Sequence, residues 1–166
     1  MLSFLPVLVF PLLMAAAGVR DAISYTIPNW MPLALAGAFL VAAPLAGLGW
    51  AAIGLHLAVG FGALFIGMAM FALGWLGGGD AKLFAAAALW FGWPGVVAFV
   101  LVTALYGGLF TVLLLMARKY APPRLIGAWP NELFQQDAAI PYGVALALGA
   151  LTVFPGSEIF AAGVAA

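Results

Sequence analysis

Apolar runs of helix-spanning length, separated by only short interruptions, constrain this chain more than any other feature. A membrane-crossing helix needs about 20 predominantly apolar residues. Such a run occupies Met1–Val19, and others follow at Trp30–Leu48, Ala52–Leu73, Val96–Met116 and Ile140–Phe154. Between the third and the next of these lies a shorter apolar stretch, Ala81–Gly92. Only five acidic and five basic residues accompany them, so charged residues make up 6% of the chain, against roughly 25% in soluble domains. These runs predict an all-α integral membrane protein forming one domain over residues 1–166.

The same composition excludes several function classes. A net charge of zero gives no electrostatic footprint for nucleic acid. The absence of cysteine excludes disulfides, thiolate catalysis and cysteine-based metal sites. Met1–Val19 lacks the positive leading region of a signal peptide, its first basic residue being Arg20, and reads as a retained first span.

Charge placement sets the expected topology. At about 1.5 Å per residue, Ala81–Gly92 covers roughly 18 Å of a ~30 Å hydrocarbon core, so it either crosses with help from neighbouring helices or enters and returns. If it crosses, Arg20, Lys82, Arg118, Lys119 and Arg124 share one face, and the connections around Gly49 and Trp93 carry no basic residue. The positive-inside rule then favours six spans, a short fourth helix, polar loops in the cytoplasm and both termini outside.

That topology puts Asp21 and Asp80 at the same membrane face. Asp80 stands in Gly77-Gly78-Gly79-Asp80-Ala81-Lys82, where glycines admit backbone angles and close approaches that side chains forbid. Charged residues at membrane depth are costly and usually face a packed interior or a wet cavity. Two aspartates meeting there would share a proton and titrate as a unit. One could then take a proton from water while the other polarises a carbonyl. Spacing alone equally allows Asp80 to be a helix N-cap and Asp21 a solvated partner of Arg20. Lys82 reads as a membrane-end anchor, and His56, inside the third run, as a hydrogen bond between helices rather than a ligand. Gly60, Gly67 and Gly74, seven apart, read as a close-packing stripe. A proton-coupled transporter using Asp21, Asp80 and His56 as a relay is the competing class.

Three segments add a resemblance. Gly77 to Leu83, running on to Leu89-Trp90-Phe91-Gly92, closely resembles the GxGD region of type IV prepilin leader peptidases, which are membrane aspartic peptidases. Asp21 followed by Ile27-Pro28-Asn29 is similar to the family's first aspartate and its IPN turn. Ile140-Pro141-Tyr142-Gly143-Val144-Ala145 is similar to its PYG segment. The resemblance implies an aspartic endopeptidase of the bacterial inner membrane, with Asp21 and Asp80 as catalytic dyad and a cytoplasmic catalytic face. The implied substrate is a short-leader prepilin, with no cofactor and no metal. Gly77, Gly79, Lys82, Pro28, Asn29, Pro141 and Tyr142 would shape the site, with Lys82 tuning Asp80 electrostatically. Two departures stand out. There is no cysteine and no cytoplasmic CxxC segment, so the chain looks like the short, peptidase-only form of tight-adherence (Flp) pilus systems, without N-methylation. Between Asp21 and Ile27 the family often has basic residues, where this chain has Ala22-Ile23-Ser24-Tyr25-Thr26.

Overall fold

A computed structural model describes residues 5–120 and 139–165, which are helical apart from short connections. The polar segment with Arg124, Glu132 and Asp137 lies outside the described residues.

Helix α1, Leu5–Ser24, runs past the expected stop at Arg20. Ala22 and Ile23 extend its apolar sequence, and the Ser24 hydroxyl donates to the Arg20 carbonyl at 2.8 Å. Asp21 therefore stands on the last helical turn rather than in a loop. Tyr25 ends the helix with φ 52°, its N–H donating to the Asp21 carbonyl at 2.9 Å. After the Ile27-Pro28-Asn29 turn come α2, Trp30–Leu45, and α3, Trp50–Ala72.

Both α2 and α3 end in the same way. Gly47 and Gly74 adopt φ of 75° and 73°. The next residue's N–H then reaches back five residues, from Leu48 to the Ala43 carbonyl and from Trp75 to the Met70 carbonyl. This paired arrangement satisfies the last carbonyls and needs a left-handed residue. Gly74 is thus a helix stop with open space around it. Of the three spaced glycines, Gly60, against Leu89, and Gly67, against Ala81, do act as packing glycines.

Helix α4, Gly78–Tyr120, contains one non-helical residue, Gly92, at φ 56° and ψ −166°. On an unbroken helix residues 84 and 99 would lie about 22 Å apart. Their rings instead stack with centroids 5.8 Å apart, and Phe91 and Phe99 stack at 4.7 Å. The chain therefore doubles back at Gly92, giving a first arm (78–91) and a second arm (93–120). The expected break at Trp93-Pro94-Gly95 falls just before that triplet. Pro94 sits in the first turn of the second arm, where no helical partner requires its missing N–H. Helix α5, Tyr142–Val153, begins inside the expected Ile140–Phe154 run. A 3-10 turn at Phe154–Gly156 leads to α6, Glu158–Ala165, bent by 54° from what precedes it. Ser157 caps α6, its hydroxyl accepting from the Phe160 N–H at 3.2 Å.

Among the described residues, three helices are long and apolar enough to cross a membrane, and the bent pair makes four if it counts as one span. The difference from six arises at α2, only 16 residues long, and at α4, which counts once although its two arms are separated by the reversal at Gly92.

The bundle packs differently at its two ends. Around the Gly92 break, Phe10, Phe39, Trp90, Phe91 and Phe154 form a buried aromatic cluster. The Trp90 indole there donates to the Leu35 carbonyl at 3.1 Å. At the opposite end, glycines and alanines let backbones approach closely. A Cβ on Gly18 would lie 2.7 Å from that of Ala147, and one on Gly67 would lie 3.1 Å from that of Ala81.

His56 belongs to the aromatic end. Its ring stacks on Phe39 with centroids 5.5 Å apart, and Nδ1 lies 2.6 Å from the Leu89 carbonyl oxygen. In a continuous helix that carbonyl would receive the N–H of residue 93; the break at Gly92 frees it. The ring also fills the space where a Gly92 Cβ would stand, 2.6 Å away. A Gly92→Ala substitution therefore combines left-handed strain with a clash. Gly74→Ala brings the strain alone, about 1–2 kcal/mol. Thermal unfolding of the two variants in detergent is expected to show the larger loss for Gly92→Ala.

Candidate active site

Three helix ends converge at the small-residue end of the bundle: the last turn of α1, the first turn of α4 and the first turn of α5. Asp21 is 4% exposed and Asp80 9%. The Gly143 N–H donates to Asp21 Oδ2 at 2.8 Å, and the same amide acts on the Asp80 carboxyl, as does the amide of Gly77. Asp80 lies close enough to Asp21 to feel its charge. Two acids from distant parts of the chain are thus brought together beside the amide of Gly143.

Local sequence explains the placing of Asp80. Gly77 is the residue before the helix, its carbonyl accepting from the Ala81 N–H at 3.0 Å. Asp80 is then the third helical residue, from which a carboxylate reaches back to the N–H of the capping position. It is not the N-cap itself. Its Oδ1 is buried and has no hydrogen-bond partner among the described residues.

Missing side chains make room for these contacts. A Cβ on Gly77 would stand 2.7 Å from Asp80 Oδ2, and one on Gly143 would stand 2.8 Å from Asp21 Oδ2. Ile27 is the apolar element between them. It is buried, lies 3.1 Å from where a Gly79 Cβ would be, and touches the corresponding position on Gly143 at 2.9 Å. The Ile27-Pro28-Asn29 turn is thereby held against both α4 and α5.

The other expected site residues divide into two groups. Pro141 is buried just before α5, and its carbonyl accepts from the Val144 N–H at 3.4 Å. Tyr142 is within electrostatic reach of Asp80, and its ring packs over Gly107 on the second arm, 2.8 Å from where a Cβ would be. Pro28 is half-buried in the turn. Lys82 departs from expectation. Two residues beyond Asp80, it projects from a different face of the helix, and its ammonium donates to Asn29 Oδ1 at 2.8 Å. It ties the Asn29 turn to α4 instead of facing Asp80. Arg20, likewise, is exposed, while Asp21 turns inward to the Gly143 amide. His56 sits at the other end of the first arm, away from both acids.

Gly143, Gly107 and Ile27 were not among the expected site residues. Gly143 had a visible signal, as the glycine after Tyr142. Gly107 had none, because only the reversal at Gly92 brings the second arm to Tyr142.

The model of the type IV leader peptidase family matches residues 8–112, a span that includes Asp21, Ile27-Pro28-Asn29 and the Gly77–Lys82 stretch. No match was found among curated proteins or among solved structures.

The fit around Gly143 leads to a prediction. Gly143→Ala would push a methyl against Asp21 and Ile27, overpacking that costs about 1–3 kcal/mol. Gly37→Ala, inside α2 with nothing within 4 Å, should instead gain about 0.5–1 kcal/mol. Opposite shifts of the thermal midpoint in detergent would be the expected readout.

Proposed function

Because this chain belongs to the type IV leader peptidase family, we propose that it is a membrane-embedded aspartic endopeptidase that removes the leader of type IV, Flp-like prepilins. The observation that carries this reading is that Asp21 and Asp80, both buried, meet at one end of the bundle, where the Gly143 amide donates to Asp21 and Asp80 lies within reach of the Asp21 charge. A pair of carboxyls that interact this closely behaves as one unit with a shared proton.

In the proposed reaction the ionised member of the pair accepts a proton from water as the water oxygen attacks the scissile carbonyl carbon. The protonated member gives its proton to the carbonyl oxygen, so a neutral tetrahedral intermediate forms. The acid that gained a proton then passes it to the leaving nitrogen as the C–N bond breaks. The other acid recovers its proton from the gem-diol hydroxyl, and the starting state returns. The amide of Gly143 holds Asp21 in place throughout. Asp80 Oδ1, free of protein partners among the described residues, is suited to meet the water or the carbonyl.

In this proposal α1, α2, α3, the two arms of α4 and the α5–α6 pair act as six passes through the inner membrane. The aspartates then lie at the cytoplasmic face and the termini outside, as the positive-inside distribution of Arg20, Lys82, Arg118, Lys119 and Arg124 supports. The whole of residues 1–166 acts as one peptidase domain that needs no metal.

Two experiments test the reading. With a co-expressed prepilin, Asp21→Asn and Asp80→Asn should each reduce leader cleavage by at least about 100-fold while the protein remains folded, and EDTA should leave the wild-type rate unchanged. Retained cleavage in either variant would remove the dyad. The sequence contains no cysteine, so single cysteines can report sidedness. A cysteine at Thr26 should react with a membrane-impermeant maleimide only after the cytoplasmic face is opened, and one at Trp93 should react in intact spheroplasts.

A further inference from the structure

Helices α2 and α3 follow one another through a tight turn at 46–49, yet they barely touch; each packs on α4 instead. Between them runs a groove of about 510 Å³ whose floor is the first arm of α4. The floor is made shallow by Ala85 and Ala86, and on the α3 side the groove is lined by Gly60. Its lining is apolar except at one end, where Asn29 and Lys82 stand, hydrogen-bonded to each other.

We propose that this groove binds one anionic phospholipid, with an acyl chain along α4 and the phosphate on Lys82 and Asn29. Charge complementarity is the first argument. An ammonium carries three N–H donors, and Lys82 gives one to Asn29 Oδ1, an arrangement that keeps the Asn29 amide N–H₂ beside the same cation. A cation with an adjacent amide at the head of an apolar channel matches a phosphate joined to a hydrocarbon tail. Basic sites between membrane helices recognise lipid headgroups in this way.

Length is the second argument, and it separates a lipid from a helix. From Asn29 to Leu40 the α2 wall runs about 16 Å, and from Lys82 to Leu89 the floor runs about 10 Å. One leaflet of a ~30 Å hydrocarbon core is about 15 Å deep. The groove therefore ends where one leaflet ends, whereas a partner helix would need a seat along the full thickness. The polar pair lies at the aspartate end of α4, so the lipid belongs to the leaflet on that side. Its headgroup would then brace the Asn29 turn, which Ile27 connects to the two acids.

Native mass spectrometry of the full-length protein, released from micelles with equal phosphatidylglycerol and phosphatidylcholine, tests the proposal without any substrate. It is thereby separable from the peptidase reading. The wild type should retain one phosphatidylglycerol in preference to phosphatidylcholine. Lys82→Gln should reduce that preference roughly fivefold, the scale of one basic residue at a membrane surface, and Lys82→Arg should keep it. Ala36→Trp, which narrows the groove, should lower retention of both lipids. If that variant does not fold, Leu33→Trp at the exposed rim should do the same. Equal retention of the two lipids by the wild type, or an unchanged preference in Lys82→Gln, would overturn the proposal. So would displacement of the bound lipid by a membrane-spanning apolar peptide, which would assign the groove to a helix.

Discussion

A carbonyl released inside a helix must find another donor, and in this bundle the one released at Leu89 is met by His56. The contact matters because the chain reverses direction three residues later, at Gly92, in a conformation that only glycine adopts readily. Reversal is what assembles the aspartate end of the molecule. The first arm of α4 carries Asp80 to one end of the bundle, and the second arm returns to the same end to seat Tyr142 over Gly107. Without the turn, α4 would be a rod of 43 residues, about 65 Å long, and its two ends could not share a neighbour. The ring stacking of Phe39 on His56 and the cluster around Trp90 hold this reversal from the protein side.

The two ends of the bundle are packed for different ends of the task. Large rings fill the Gly92 end, where area buried gives stability and few polar groups intrude. Glycines and alanines fill the aspartate end, where backbone must come near side chain. The amide of Gly143 can reach Asp21 only because residue 143 has no Cβ to hold that side chain away.

Much of this was legible in the sequence, for identifiable reasons. Membrane class followed from the scarcity of charge, and a common location for Asp21 and Asp80 followed from where the basic residues fall. Helix stops were less legible. Gly74 looked like a packing residue because it continues a seven-residue spacing, yet its left-handed angle makes it a terminus. The break before Pro94 was displaced because proline is tolerated in a first turn, so the disruption belongs to the glycine preceding it. Lys82 could not be read correctly from spacing to Asp80, since its partner, Asn29, is reached only through tertiary contact. Gly107 was invisible for the same reason.

Ile27 gives the site a property that its polar residues do not. Its side chain is wedged between the backbone at Gly79, next to one acid, and at Gly143, which holds the other. The distance between these two stretches of backbone is therefore gauged by the thickness of a hydrocarbon branch, in the manner of a shim. Polar contacts are strong but sensitive to hydration, while the width of a packed aliphatic group hardly changes with salt or acidity. A bundle built this way can have the spacing of those two backbone stretches reset by trading one aliphatic side chain for another, leaving every charged group untouched.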